Sequence, residues 1–193
     1  MDMHLDEMEL KTKDGRIFTL RSLAPHDAEA AIAFMGRMYG ESPYLSRYGD
    51  EWSIDIEDER RFLERALLGE RRLMVGSFRE GALIAIADFL PISSASKMAH
   101  RCSCSIVVER AFHNLGIGTA MMKILIHAAR TVGYEQMELE VVSENEAAVA
   151  LYRKLGFVEY GRLPHGFKNR DRSSYDLLSM FLTFKGGSPT PLP

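Results

Sequence analysis

Cysteine is nearly absent: 193 residues contain two, Cys102 and Cys104. Spaced by two on a strand, they point to the same face, which disfavours a mutual disulfide. His100 would share that face, but a metal site wants more ligands at suitable spacing. Two small core residues are the better reading, and no metal is expected. Long apolar runs are also missing. Ala82 to Pro91 is among the longest and carries Asp88 inside it, so no membrane span is expected. The start, with Asp2, His4, Asp6 and Glu7, lacks the basic residues and apolar run of a secretory signal, which points to the cytoplasm. Nor is there an excess of one charge. The formal net charge of −3 gives no reason to propose nucleic acid as a partner.

What is present is enough for a core. Hydrophobic residues make up 46% of the chain, and the length fits one domain over residues 1–185. Residues 186–193, rich in Gly and Pro, read as a disordered tail. No internal repeat stands out.

Asp14-Gly15 reads as a tight turn between two strands, Met8–Thr12 and Arg16–Leu20. Pro25 opens a helical pattern ended by Gly40, and Asp55 or Ser53 can start a second helix through Phe62 and Leu67. Strand-like runs follow at Arg72–Phe78, Ala82–Leu90 and His100–Val108. The second half alternates. A helix from Gly116 to Val132 precedes a strand at Met137–Val142. A helix from Ala147 to Leu155, with Ser143 and Glu146 spaced as a capping box, precedes strands at Val158–Arg162 and Leu177–Thr183. This predicts an α/β (α+β) layer fold: a mixed, mostly antiparallel sheet of about seven strands flanked by about four helices.

The chemistry concentrates after Ile106. A β-branched strand, Ile106-Val107-Val108, runs through Glu109 into a loop, and Gly116 and Gly118 then open a long helix. The first N–H groups of a helix lack intrahelical partners and carry partial positive charge. Glycines let a phosphate approach them. A dinucleotide fingerprint is disfavoured, because Met121 stands where a third Gly or Ala belongs, and the Gly-Lys-Ser/Thr ending of a P-loop is absent.

A second block lies about thirty residues on: Asn145-Glu146-Ala147-Ala148-Val149-Ala150-Leu151-Tyr152-Arg153-Lys154-Leu155-Gly156-Phe157. The two blocks together resemble the GNAT family of N-acetyltransferases. The family's phosphate loop, Arg/Gln-x-x-Gly-x-Gly/Ala, is matched by His113-x-x-Gly116-x-Gly118. Its later block, Asn-x-x-Ala-x-x-Leu-Tyr-x-x-x-Gly-Phe, is matched at Asn145, Ala148, Leu151, Tyr152, Gly156 and Phe157. Two departures stand out: His113 replaces Arg or Gln, and Asn114 replaces a frequent Gly.

The resemblance implies an acetyl-CoA-dependent transfer of acetyl to a primary amine, by direct attack in a ternary complex. It implies that Ile106, Val107 and Val108 splay from their neighbour and pair with the pantetheine, with the Val108 N–H polarising the thioester. N–H groups across His113, Asn114, Leu115, Gly116, Ile117, Gly118 and Thr119 would hold the pyrophosphate, and His113 would meet phosphate when protonated. Asn145 would contact the pantetheine, Ala148 would leave it room, and Tyr152 would protonate the leaving thiolate. Glu109 is the first candidate for general base, with Glu41, Asp88, His100 and Glu140 behind it. Acceptor choice would fall to the segments around Tyr39–Trp52 and Pro164–Ser174. Many relatives dimerise, so a homodimer is compatible. The competing readings are a non-catalytic acetyl-CoA sensor of the same fold and an interaction module whose glycines only shape a turn.

Overall fold

The computed structural model describes residues 3–12 and 14–184; the tail 186–193 lies outside the described residues. One sheet of eight strands runs in the order β1-β2-β3-β4-β5-β6-β8-β7, one at each strand-like run of the sequence, where a sheet of about seven was expected. β1 (Met8–Lys11) and β2 (Ile17–Ser22) form the first hairpin, and Gly15 takes φ +84° at its turn. β3 (Leu73–Arg79), β4 (Ala82–Pro91) and β5 (Arg101–Val108) continue antiparallel. β6 (Gln136–Val142) pairs parallel with β5, and β8 (Ser174–Thr183) returns antiparallel between β6 and β7 (Val158–Lys168). β7 runs past the expected end at Arg162 and through Pro164. Proline's missing N–H is tolerated there because β7 is an edge strand.

Four α-helices cover the sheet. α1 (Ala28–Glu41) and α2 (Ile56–Leu67) lie on one face; α3 (Ile117–Thr131) and α4 (Glu146–Lys154) lie on the other. Asp55 caps α2, accepting from the N–H groups of Glu57 and Asp58. α4 is capped by Asn145, whose side chain accepts from the Ala148 N–H at 3.3 Å. This corrects the Ser143–Glu146 capping box: Asn145 is the residue immediately before the helix, and Ser143 bonds Glu144 instead.

Strand alternation divides the core. Cys102, Cys104, Ile106 and Val108 point toward α3 and α4, with Met137, Leu139 and Met180 beside them. Val107, Ile86 and Met74 point toward α1 and α2. The two cysteines are unpaired and buried, in keeping with small core residues.

Candidate active site

The site begins where two parallel strands stop pairing. β5 meets β6 only at Arg101↔Gln136, Cys102↔Met137 and Ser103↔Glu138. Arg101 clamps this junction through two bonds to Glu138, one of 2.6 Å from Nη2 to Oε2. The guanidinium holds the Glu138 carboxyl below the usual range. Beyond Ser103 the strands diverge, while β5 stays paired with β4 as far as Ala85↔Val108.

An antiparallel ladder alternates which backbone groups face the partner. The Glu109 N–H donates to the Ile84 carbonyl at 3.0 Å, so Glu109, Val107 and Ser105 turn their backbone polar groups toward β4. Those of Ile106 and Val108 therefore face the gap. Unpaired donors and acceptors in mid-sheet need a partner, and the amides of an extended ligand would supply one. This corrects the sequence reading for Val107, whose backbone is committed to β4. Its side chain lies on the α1/α2 side.

The Val108 carbonyl already has a partner. Nε2 of His113 lies 2.9 Å from it, so the ring faces the gap rather than the start of α3. The phosphate contact expected of His113 would require that ring to turn away. The His113 N–H is also used, donating to the Arg110 carbonyl at 3.2 Å. The six N–H groups from Asn114 to Thr119 find no acceptor among the described residues. Asn114 at φ +63° and Gly116 at φ +88° bend the chain into the start of α3. Together with the helix dipole, this is an anion cradle.

Gly116→Ala would meet no neighbour, since nothing lies within 4 Å of an added Cβ. Its cost is the left-handed backbone, about 1–2 kcal/mol. The expected result is a melting temperature lower by about 2–8 °C and acetyl-CoA binding weaker by about tenfold, a loss of roughly 1.4 kcal/mol. Thermal unfolding and titration calorimetry check both, and an unchanged Kd would sink the cradle.

α4 closes the other side. A Cβ on Gly118 would lie 3.4 Å from Leu151 and 3.7 Å from Ile106, so Gly118 sits where α3, α4 and β5 converge. Tyr152 is 6% exposed. Its ring packs on Phe157 at 5.7 Å, and its hydroxyl bonds no described side chain or carbonyl. Burial, with a further contribution from Cys104, pushes its pKa far up. Tyr152 and Cys104 belong to the same core on the α3/α4 side of the sheet.

Glu109 stands at the opposite, open end of the gap. Its carboxylate faces Arg37 of α1 at 3.5 Å. Asp88 is different. It pairs across the strands with Ser105, whose hydroxyl donates to its Oδ1. Burial pushes the Asp88 carboxyl up. Glu140, Glu41 and His100 are exposed.

The two segments expected to choose the acceptor meet over the α1/α2 side. At the β7–β8 tip, the Arg170 N–H donates to the Tyr48 hydroxyl at 2.7 Å. Its guanidinium bonds Asp50 at 2.7 Å and Glu51 at 3.1 Å and stacks 4.0 Å over the Tyr48 ring. Trp52 anchors the α1–α2 loop by donating to the Ile32 carbonyl at 3.0 Å. Arg170 carries no signal in its local sequence, because its partners lie some 120 positions away.

A sheet opened between two parallel strands, beside a glycine-opened helix, defines a coenzyme A-dependent acyltransferase. The model of the "Acetyltransferase (GNAT) family" matches residues 32–157, and the chain belongs to that family. It is an acetyl-CoA-dependent enzyme that transfers acetyl to an amine. An L-amino acid N-acyltransferase of Escherichia coli, MnaT, is 25% identical over 70% of this chain and 79% of its own. A GNAT acetyltransferase structure from Streptococcus pneumoniae is 25% identical, with a TM-score of 0.82 over 86% of this chain and 99% of that one. The protein yncA of Salmonella typhimurium, solved with acetyl-CoA, has a TM-score of 0.76 at 22% identity, over 91% of this chain and 99% of its own. Among the described residues no helix is long and apolar enough to cross a membrane.

Proposed function

We propose that the acceptor is the α-amine of an amino acid or a molecule of that shape. The name of the Escherichia coli relative supports this class. So does the roof over the α1/α2 side, where Arg170, Asp50 and Glu51 set both charge signs beside an aromatic ring. A zwitterion is suited to such a rim.

In this reading the N–H groups of Asn114 to Thr119 hold the pyrophosphate. The extended pantetheine fills the gap and pairs with the outward backbone of Ile106 and Val108, displacing His113 from the Val108 carbonyl. Ala148 gives it passage; Asn145, whose Oδ1 caps α4, keeps its amide N–H for the arm. Tyr152 protonates the departing sulfur. Holding amine and thioester together supplies much of the acceleration. The observation that carries the reading is the unpaired backbone of β5 in mid-sheet, next to the anion cradle.

The test is release of coenzyme A thiol from acetyl-CoA with a panel of L-amino acids, polyamines and short peptides. Turnover is expected with the amino acids. Saturable acetyl-CoA binding with no thiol release from any acceptor would favour the sensor; turnover confined to polyamines or peptides would overturn the acceptor class.

A further inference from the structure

We propose that Asp88, held by Ser105, takes the proton from the attacking amine. The assignment rests on the acetyl-transfer reading and names a catalytic residue within it.

The argument is one of level and face. The pyrophosphate cradle lies at the open end of the gap, so the pantetheine runs from there toward the junction at Ser103 and Glu138. The thioester ends short of the junction, at the level of Ile106, where α4 approaches β5 through Leu151 and Tyr152 lies on the α3/α4 side. Asp88 and Ser105 occupy that same level on the opposite side, the side roofed by Arg170. Acid and base then flank the thioester from opposite faces of the sheet.

Asp88 is half-buried, Ser105 is exposed, and Met74 stands across from Asp88 on β3. The other charged groups on this face of β5 and β6 are the Arg101–Glu138 pair, Glu140, and Glu109 with its Arg37 partner. The Arg170–Asp50–Glu51 cluster lies in the roof above. None of these ion-pairs with Asp88. Asp88 differs in this from Glu109, whose carboxylate Arg37 already engages, and is the half-buried carboxylate of this face left to take a proton.

The proton accounting closes. The acceptor arrives as an ammonium and gives one proton to the Asp88 carboxylate. The nitrogen lone pair forms the C–N bond, and the carbonyl electrons move to oxygen. As they return, the C–S bond breaks and the Tyr152 hydroxyl protonates sulfur. The second nitrogen proton restores the phenol, and Asp88 releases its proton to water. The net products are the amide, coenzyme A thiol and one proton.

The experiment is Asp88→Asn, which is isosteric and keeps an acceptor for the Ser105 hydroxyl. Kinetics use acetyl-CoA and the best amino acid of the panel, from about pH 6 to about pH 9, across the range where an α-amine begins to lose its proton. Near pH 7, kcat/KM should fall about 10²-fold with acetyl-CoA affinity unchanged. The deficit should shrink as pH rises, because solvent then supplies the neutral amine. Activity within about threefold of wild type, or a deficit that does not change with pH, overturns the assignment; a factor of three is about 0.65 kcal/mol. Should Asp88→Asn fail to fold, Ser105→Ala carries the test. It removes the bond that favours the Asp88 carboxylate, so the rise of activity with pH should move upward, and an unmoved profile overturns the role. Wild-type protein without turnover on any amine would instead sink the acetyl-transfer reading itself, before any variant is made.

Discussion

Tyr152→Phe should lower kcat about 10³-fold while acetyl-CoA affinity and melting temperature stay close to wild type. The ring that packs on Phe157 remains, and the deleted hydroxyl bonds no described group, so little folded-state structure depends on it. Tyr152 is far from ionising in any ordinary assay, because burial pushes its pKa up. It is therefore fully protonated when a thiolate must leave. A buried phenol looks too weak an acid for an ordinary thiol, whose pKa is about 8.5. The same surroundings, however, raise the neighbouring Cys104 thiol well above its usual value. A coenzyme A sulfur leaving in comparably dry surroundings would meet the same kind of penalty, so acid and leaving group would shift together. Pre-steady-state thiol release is the direct measurement. A Phe variant that turns over within about threefold of wild type would make Tyr152 a packing residue only, since a factor of three is about 0.65 kcal/mol.

Two proline substitutions separate the tasks of the gap-facing backbone. Ile106 and Val108 each present an N–H that no strand uses, so proline at either position deletes a donor without removing a bond to β4. The resemblance pointed to Val108 as the oxyanion donor. The approach of α4 to β5 at Ile106 moves that role one step along the gap-facing row, to Ile106. Ile106→Pro should therefore lower kcat about 10²–10³-fold, the cost of losing one oxyanion donor. Val108→Pro should act mainly on acetyl-CoA affinity, by about tenfold, or roughly 1.4 kcal/mol. Single-turnover rates at saturating acetyl-CoA, with Kd from calorimetry, distinguish the two. The reverse pattern would return the thioester to Val108 and place it toward Glu109, which would also remove the case for Asp88.

Much of the fold was legible because its signals are local. Asp14-Gly15 marks a turn by backbone conformation alone, and every expected strand and helix is found, with ends shifted by up to six residues, the most at the end of β7. The cradle was legible for the same reason. Orphan N–H groups at the start of a helix and residues able to take positive φ, here Asn114 and Gly116, are properties of a dozen consecutive residues. The exceptions show where local reasoning stops. His113 was assigned to phosphate by its place in the motif, but its ring found an unpaired carbonyl five residues back. Ser143 was spaced as a cap, but Asn145 stood nearer the helix start.

The sequence by itself determined the layered α/β fold, the family and the cradle, since periodicity, turn chemistry and helix ends are written in neighbouring residues. The tertiary structure alone decided where β5 leaves β6, which backbone groups face the gap, and which carboxylate pairs with Ser105 beside it. Sheet register brings Asp88 to Ser105, and Arg170 to Tyr48 across some 120 positions. Such partners meet only when the whole sheet has assembled, because strand register and side-chain face are properties of paired strands rather than of any one segment.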